Sequence, residues 1–232
     1  MRRNAENKTL SEQAADQMIQ YIQENGYGPG DKLPTEADLS RLLGVGRNTV
    51  REAVRVLASR NIVSVRQGSG TFVSEKQGLA DDPFGFSFVE DRVQLTRDLM
   101  QIRVMLEPSI AALAAQNAEP EEIRQLEEIL LEIEALIEAE SDYSEKDTQF
   151  HAQIANCSHN TVVSRLIPVI SSGVTVFARE VPSEEYKQTL LSHRAIYEAI
   201  RTRRAVEAQQ AMHLHLLYNE NRYTEEIRKE NT

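Results

Sequence analysis

The chain has 232 residues, of which 41% are hydrophobic, and this is enough for one large or two modest packed domains. No apolar run approaches the roughly 18 residues of a transmembrane helix, and the polar start MRRNAENKTL is unlike a signal peptide, so we expect no membrane partner. The single cysteine, Cys157, excludes an internal disulfide bond and favours a reducing, cytoplasmic location, where it is a small packing residue.

The net charge of −10 is unevenly distributed along the chain. Residues 1–76 carry 11 Lys/Arg and 9 Asp/Glu, whereas the remaining residues carry 15 and 27. Within 41–66 there are six arginines and one acid, Glu52. A DNA phosphate is neutralised by the charges close to it and not by the net charge of the protein. The net negative charge therefore argues against DNA contact only for the second part of the chain.

The first helix is predicted from about Ser11 to Asn25, and its inward residues recur at helical spacing: Ala15, Met18, Ile19 and Ile22. The glycine-rich stretch 26–30 follows as a loop. The stretch Thr35–Arg60 then has the pattern of two helices joined by a tight turn. Thr35 is the expected N-cap of the first, Gly44 ends it, and Gly46 caps the second.

The two helices of this predicted helix-turn-helix each have an apolar face. In the first it consists of Leu39, Leu42 and Leu43, and in the second of Val50, Ala53, Val54 and Leu57. The second helix leaves polar side chains outward: Arg47, Asn48, Thr49, Arg51 and Arg55. Arginine can fork onto guanine, asparagine onto adenine, and threonine can contact phosphate or a thymine methyl group, so this face suits the DNA major groove.

A β-hairpin is predicted next, with strands at 62–66 and 71–73 and the turn Gln67-Gly68-Ser69-Gly70 between them. A helix-turn-helix followed by such a wing is a winged helix. The alternative is an ordinary α/β core fragment with a solvated arginine face. The clustering of the arginines opposite the apolar stripe favours the DNA-binding interpretation.

Three segments of this region resemble the GntR family of bacterial transcription regulators: PGDKLPTE at 29–36, LGVGRNTVREA at 43–53 and GSGTFV at 68–73. The resemblance implies that Arg47, Asn48, Thr49 and Arg51 contact DNA, and that the wing tip, Gln67 and Gly68, enters the minor groove. The chain departs from the family pattern at Ala37, where many members have a phosphate-binding arginine, and at Gly46, where many have serine or threonine.

Residues 77–90 have the composition of a linker, although Phe84, Phe86 and Phe88 suggest that it docks on a surface. From residue 91 to 232 only helical patterns occur. The first predicted helix of this region is long and runs through 95–113, and the second begins at Pro120. Four more are predicted at about Ser144–Cys157, Asn160–Glu180, Ser183–Thr202 and Ala205–Lys229. The inward residues of the long helix are Leu95, Leu99, Ile102, Met105, Leu106, Ile110 and Leu113. The predicted fold is therefore mainly α: a winged helix-turn-helix at 9–76 and an antiparallel all-helical bundle at 91–232.

Acidic and imidazole side chains recur in the predicted bundle. Asp147 and His151 share one helical face, and His193 lies on the next helix but one. His213 and His215 lie about 200° apart on the last helix, so only one of them can point inward, and the inward stripe favours His215. One carboxylate and three imidazoles could hold zinc, nickel or manganese, but separate hydrogen-bonded histidines are an equal alternative on spacing alone.

Residues 91–220 resemble the helical FCD effector domain found in the FadR-like branch of the GntR regulators. The matching motifs are Arg103-x3-Glu107, Asp147-x2-Phe150-His151, and the segments beginning at His193 and ending at His215. The resemblance implies that a divalent transition metal, zinc before nickel or manganese, binds Asp147, His151, His193 and His215. It leaves His159 as a capping or packing residue and His213 exposed.

Arg103 is the expected binding residue for a carboxylate effector, because a guanidinium offers two parallel donors. An ion pair with Glu107 on the next helical turn is an equal alternative from sequence. Ser171 and Ser172 interrupt an apolar helix and are weaker candidates for lining the same cavity.

Together these features predict a ligand-responsive transcription regulator that binds palindromic operator DNA as a homodimer. The effector would be a small organic acid, a sugar acid or a hydroxy acid, and the resemblance favours repression of a catabolic operon that the ligand relieves. The alternative is a metal-dependent hydrolase built on the Asp/His cluster. No second acid is identifiable as its general base, and the winged helix would be unexplained.

Overall fold

The computed structural model describes residues 8–76, 78–80, 82–177 and 186–230, which form two compact units divided between Pro83 and Phe84. The first unit contains helices α1 (Leu10–Glu24), α2 (Glu36–Leu43) and α3 (Arg47–Ser59) and strands β1 (Val63–Arg66) and β2 (Gly70–Val73). The second contains α4 (Arg92–Asn117), α5 (Pro120–Glu138), α6 (Ser144–Cys157), α7 (Val163–Phe177), α8 (Tyr186–Arg201) and α9 (Ala205–Glu230). The prediction of a winged helix-turn-helix followed by an all-helical bundle is therefore confirmed.

The helix ends of the first unit follow from local hydrogen bonds. Thr9 and Glu12 form a reciprocal capping box that starts α1 one residue before the predicted start. Thr35 caps α2 by accepting the backbone N–H of Asp38. Gly44 ends α2 at φ 67°, a left-handed conformation that side chains with a Cβ adopt at a cost. Gly46 precedes α3 without any side-chain cap.

The core of the first unit contains the apolar faces of its three helices and the base of the wing: Ala14, Ala15, Met18, Ile22, Leu33, Leu39, Val50, Ala53, Val54, Leu57, Val63 and Val73. Leu42 was expected to face inward, but it is 57% exposed. At 100° per residue, Leu42 lies about 60° from Leu39 on the side opposite Leu43, so the short helix α2 cannot bury all three.

The wing is a two-stranded antiparallel sheet in which Val63 faces Val73 and Arg66 faces Gly70. The other edge of β2 is bound by the loop before α2. There Leu33 donates to the Thr71 carbonyl at 2.8 Å, and Val73 donates to the Asp31 carbonyl at 2.8 Å. The loop therefore covers an edge strand and joins the wing to the helix-turn-helix.

The predicted linker contains the division between the units and one turn of 3-10 helix at Phe86–Phe88. Phe86 packs against the cluster formed by Leu95, Leu99, Ile170 and their neighbours, and its ring lies 5.4 Å from that of Phe84. Phe88 is 88% exposed, so the docking suggested for all three phenylalanines holds for Phe86 and not for Phe88.

The second unit buries the inner faces of its helices around α4, α6, α8 and α9. On α4 the expected inward residues Ile102, Met105 and Leu113 are exposed to 39%, 68% and 37%. In the middle of α4 the inner face is taken by Arg103 and Glu107, each at most 5% exposed, and near Leu113 it is taken by small residues: Ala111, Ala114 and Ala115. The predicted buried face of α4 was therefore wrong in the middle of the helix, because polar side chains occupy the interior there.

The remaining helix predictions are close to the observed bounds. Asn160 caps the start of α7 by accepting the backbone N–H groups of Val162 and Val163. The predicted end of this helix at Glu180, and the predicted start of the next at Ser183, lie outside the described residues. Among the helices that the structure describes, none is both long and apolar enough to cross a membrane.

Candidate functional site

The N-terminal end of α3 presents a polar surface. Arg47, Asn48 and Arg51 are exposed and Thr49 is half-buried, while the opposite face of the helix lies in the core. Within the part of the chain that the structure describes, Arg47 has no ion-pair partner. Because these side chains carry no part of the core, they are available to contact another molecule.

Arg51 is held between the two helices of the helix-turn-helix. Its Nε and Nη2 atoms both donate to Glu36 Oε2, at 3.2 and 2.9 Å. The two donors share one carboxylate oxygen, and among the described contacts the outer edge of the guanidinium, which includes Nη1, takes no part. The pair therefore fixes the direction of Arg51 without using all its donors.

The wing tip is a three-residue turn in which Gln67 and Gly68 are exposed. Gly68 has φ 73°, and the turn is closed by Ser69 donating to the Arg66 carbonyl at 2.9 Å. The Arg66 guanidinium stacks on the Phe72 ring, with its carbon 4.3 Å from the ring centroid. Positive charge is therefore held at the base of an otherwise small and narrow tip.

The second site lies inside the helical unit, where α6, α8 and α9 meet. Asp147 and His151 are one turn apart on α6, and His193 and His215 come from α8 and α9. One ligand atom from each of the four lies within 4.8 Å of all the others. The three imidazoles are at most 1% exposed. Donor atoms on one tetrahedral zinc ion lie about 3.4 Å apart, so these side chains would move inward on binding the metal.

Two of the imidazoles are held in the same tautomer. His151 Nδ1 contacts Glu107 Oε2 in a short hydrogen bond. His215 Nδ1 lies 2.9 Å from the Ser192 hydroxyl, which itself donates to the Thr189 carbonyl and so accepts the imidazole N–H. In both rings Nδ1 is therefore the donor, and Nε2 is the nitrogen left for a metal.

The lone pairs at the centre have few partners. His151 Nε2 is buried, has no hydrogen-bond partner among the described residues, and lies 3.8 Å from Asp147 Oδ2. His193 Nε2 is 3.1 Å from Asp147 Oδ1, but within the described part of the chain neither ring nitrogen of His193 makes a hydrogen bond. Buried imidazoles that meet without bonding to one another are well suited to a shared cation.

The protonation states also fit metal ligands. Burial lowers the pKa of His193, and it lowers the pKa of His215 well below its usual value, with the neighbouring histidines adding to the effect. Burial opposes ionisation of Asp147, but His193, His151 and Arg103 outweigh it and hold the pKa of Asp147 well below its usual range. Neutral imidazole and ionised carboxylate are the forms that bind divalent metals.

Arg103 lies in the same buried cluster, because Glu107 binds both Arg103 and His151. Arg103 Nε donates to Glu107 Oε1 at 2.5 Å. Burial would raise the pKa of Glu107, but Arg103 and His151 outweigh it and lower that pKa to about 2. Arg103 Nη2 is buried and makes no hydrogen bond with any residue that the structure describes. Of the two alternatives for Arg103, the ion pair is observed, and it leaves one side of the guanidinium unbonded.

Other predicted residues lie away from this cluster. His213 is exposed, and His159, which follows the end of α6, is exposed with its Nε2 2.9 Å from Glu122 on α5. Cys157 is buried, and burial raises the pKa of its thiol to about 12, so it is an unreactive packing residue. Ser172 is exposed and donates to the Val169 carbonyl, which removes it as a cavity-lining residue.

Sequence reasoning missed the contacts that orient the histidines. Glu107 was considered only as a partner of Arg103 on the same helix, and its contact with His151 joins residues 44 apart. Ser192 precedes His193 directly, and Asn219 follows His215 by one turn, with its Nδ2 3.2 Å from His215 Nε2. A search for polar residues beside each predicted ligand would have found these two.

Comparisons with known proteins identify both units. Residues 10–73 match the model of bacterial regulatory proteins of the gntR family, and residues 98–218, about half of the chain, match the FCD domain. The chain belongs to the FadR-like branch of the GntR family. This GntR protein is 31% identical to the galactonate operon transcriptional repressor of Escherichia coli, over 80% of its own length and 84% of the relative.

A second relative is the putative L-lactate dehydrogenase operon regulatory protein of Escherichia coli, 33% identical over 91% of this chain and 85% of the relative. Among solved structures, the GntR of Streptococcus agalactiae matches with a TM-score of 0.81 and 39% identity, over 91% of this chain and 99% of that one. The GntR protein is therefore a DNA-binding transcription regulator and not an enzyme, so the hydrolase alternative is wrong.

Proposed function

We propose that this GntR protein represses a catabolic operon and that a small organic acid, bound at a metal centre in the helical unit, releases it from operator DNA. The convergence of Asp147, His151, His193 and His215 within 4.8 Å is the observation that carries this proposal. The three imidazoles are buried, burial lowers the pKa of His193 and His215, and the pKa of Asp147 is held well below its usual range.

DNA binding is assigned to the exposed end of α3 and to the wing tip. Arg47, Asn48, Thr49 and Arg51 would enter the major groove, and Gln67 and Gly68 the minor groove.

A homodimer is proposed because two copies of one winged helix, related by a two-fold axis, recognise a palindromic site. Sedimentation should show a dimer, and a strict monomer that binds a single half-site with full affinity would contradict this part.

The metal is proposed to be zinc, with nickel or manganese as alternatives, since imidazole suits all three and the carboxylate is a harder ligand. A divalent metal would supply coordination positions for the oxygen atoms of an organic acid. The electrostatics support a cation: Asp147 and Glu107 are ionised, and Arg103 is the positive group that faces them. One further cation would therefore relieve an excess of buried negative charge.

The effector is proposed to be a sugar acid or a hydroxy acid. Its carboxylate would meet Arg103 Nη2, which is buried in the same cluster and has no hydrogen-bond partner in the part of the chain that the structure describes. The relatives named above act on galactonate and L-lactate dehydrogenase operons, and both names refer to acids of this kind. The repressor assignment follows the first of these names.

Metal analysis and thermal shift test the proposal together. Protein purified without chelators should contain about one divalent metal per chain. At least one acid in a screen of sugar acids and hydroxy acids should raise its melting temperature. Chelation should abolish the acid response. The proposal fails if the protein holds no stoichiometric metal and cannot be loaded with zinc, nickel or manganese.

A further inference from the structure

A buried hydroxyl group lies one helical turn from the proposed metal ligand on α8. Thr189 is 3% exposed, and its Oγ1 atom makes no hydrogen bond with any described residue. It precedes His193 by four residues, so the two side chains share one face of α8 and are separated by a rise of about 6 Å. A buried hydroxyl without a partner is unfavourable, and a polar ligand would remove the penalty.

Asn219 occupies the matching position on α9, four residues after His215. The helices α8 and α9 are joined by the short connection 202–204 and run antiparallel, and the rings of His193 and His215 lie 4.5 Å apart. The step from His193 back to Thr189 on α8 and the step from His215 on to Asn219 on α9 therefore lead in the same direction. Thr189 and Asn219 form the next polar layer beyond the histidines.

The amide of Asn219 is linked to the state of the histidine cluster. Its Nδ2 lies 3.2 Å from His215 Nε2 and donates to that lone pair. The same lone pair would be used in binding a metal, and it cannot serve both purposes. The Asn219 amide is therefore available to a ligand when His215 holds a metal, and it offers both a donor and an acceptor.

We infer that Thr189 and Asn219 form a subsite for the hydroxyl groups of the effector, which selects acids with a polyhydroxylated chain over short hydroxy acids. This inference rests on the proposed function, which places the carboxylate end of the effector at the metal and Arg103. The remainder of a sugar acid would then extend by about one helical turn, to the level of Thr189. A three-carbon hydroxy acid such as lactate would not reach that layer.

Binding of two matched classes of acid to the zinc-loaded, full-length protein tests the inference. The probes are D-gluconate and D-galactonate, which carry polyol chains, and L-lactate, which has only the carboxylate and the adjacent hydroxyl. The parent protein should bind an aldonate more tightly than lactate in calorimetric titration. Thr189→Val keeps the shape of the side chain and should weaken aldonate binding about tenfold, with zinc content and lactate affinity unchanged.

Three further variants complete the design. Thr189→Ser keeps the hydroxyl and should bind aldonates like the parent. Asn219→Ala, at a half-buried position, should repeat the selective loss seen with Thr189→Val. Thr224→Val is the matched control, because the Thr224 hydroxyl donates to the Glu220 carbonyl of its own helix at 2.9 Å, and it should have no effect.

The results separate two failures. Equal aldonate affinity for Thr189→Val and the parent would overturn the inference alone, as would a parent protein that binds lactate and no aldonate. A parent protein that binds zinc but neither class of acid would overturn the inference together with the proposed effector function.

Discussion

The two units of this regulator place their functional polar groups in opposite environments. In the N-terminal unit, Arg47, Asn48 and Arg51 are exposed, and the core beneath them is apolar. In the helical unit, Arg103, Glu107 and three histidines are buried at the centre of the bundle. In the free protein water satisfies the first set, together with Glu36 at Arg51, whereas the second set must satisfy its own charges. Substitutions in the first unit should therefore change DNA affinity alone, and substitutions in the second should change stability and binding together.

The largest expected effect comes from removing a proposed metal ligand. His193→Ala or His215→Ala should abolish stoichiometric metal binding and the thermal response to organic acids. The loss of metal-linked stability is about 4 kcal/mol when free metal is a thousandfold above its Kd. Elemental analysis and thermal unfolding with and without added zinc measure both effects.

His213→Ala is the matched control for this experiment, because His213 is an exposed histidine on the same helix, two residues from His215. It should retain metal and melt like the parent. If His213→Ala and His215→Ala lose metal equally, the cluster is not the metal centre and the buried site would have to be reassigned.

The next effect concerns Glu107, which binds Arg103 and His151 with its two oxygens. Glu107→Gln removes the charge that neutralises buried Arg103 and should destabilise the protein by about 3 kcal/mol, the lower end for a broken buried pair, since glutamine still accepts a hydrogen bond. It should also weaken metal binding about 10-fold or more, because the His151 tautomer is no longer fixed. Denaturant unfolding of the metal-free protein and zinc titration separate these two effects.

Glu132→Gln serves as the comparison for Glu107→Gln. Glu132 pairs with Lys146 at the surface, where its side chain is 53% exposed, so its removal should change neither metal affinity nor, within error, stability. If Glu107→Gln and Glu132→Gln have the same free energy of unfolding and the same zinc affinity, the buried position of Glu107 contributes to neither.

The same contrast explains which features could be predicted from the sequence. The N-terminal unit is built from short-range signals: the Thr35 cap, the left-handed Gly44 and the glycine turn at the wing tip each act within a few residues. The site in the helical unit depends on contacts between distant residues, such as Glu107 with His151, which no spacing rule reveals. Helical spacing gave its four proposed metal ligands only as one of two equal alternatives, and the family motifs decided between them.

The incorrect predictions in the middle of α4 have a common physical cause. Ile102 and Met105 were placed inside α4 because apolar side chains usually define the buried face, but Arg103 and Glu107 occupy that face instead. A helix that carries a buried polar cluster no longer reports its orientation through its apolar residues. The exposed apolar side chains of α4 follow from this orientation of the helix and do not indicate misfolding.

A smaller effect is expected in the N-terminal unit. Arg47→Ala or Arg51→Ala should weaken binding to the operator, identified by selection from a random DNA library, roughly 10- to 100-fold each, as expected when one base-reading side chain is lost. The melting temperature should be unchanged, since both side chains lie outside the core. Gel-shift titration at fixed salt, beside thermal unfolding, provides the measurement. Unchanged DNA affinity in both variants would mean that α3 is not the recognition helix.

The smallest effect concerns Glu36, which holds the Nε and Nη2 edge of Arg51 and leaves the outer edge of the guanidinium for a base. Glu36→Ala should lower the affinity for the selected operator less than tenfold, because Arg51 remains but loses its fixed direction. Non-specific DNA should bind equally well or slightly better, since a negative charge near the phosphates is removed. The ratio of specific to non-specific affinity should therefore fall. The double variant Glu36→Ala/Arg51→Ala should bind the operator no more weakly than Arg51→Ala, because Glu36 acts only through Arg51. Additive losses in this cycle would instead assign Glu36 a role of its own at the DNA surface.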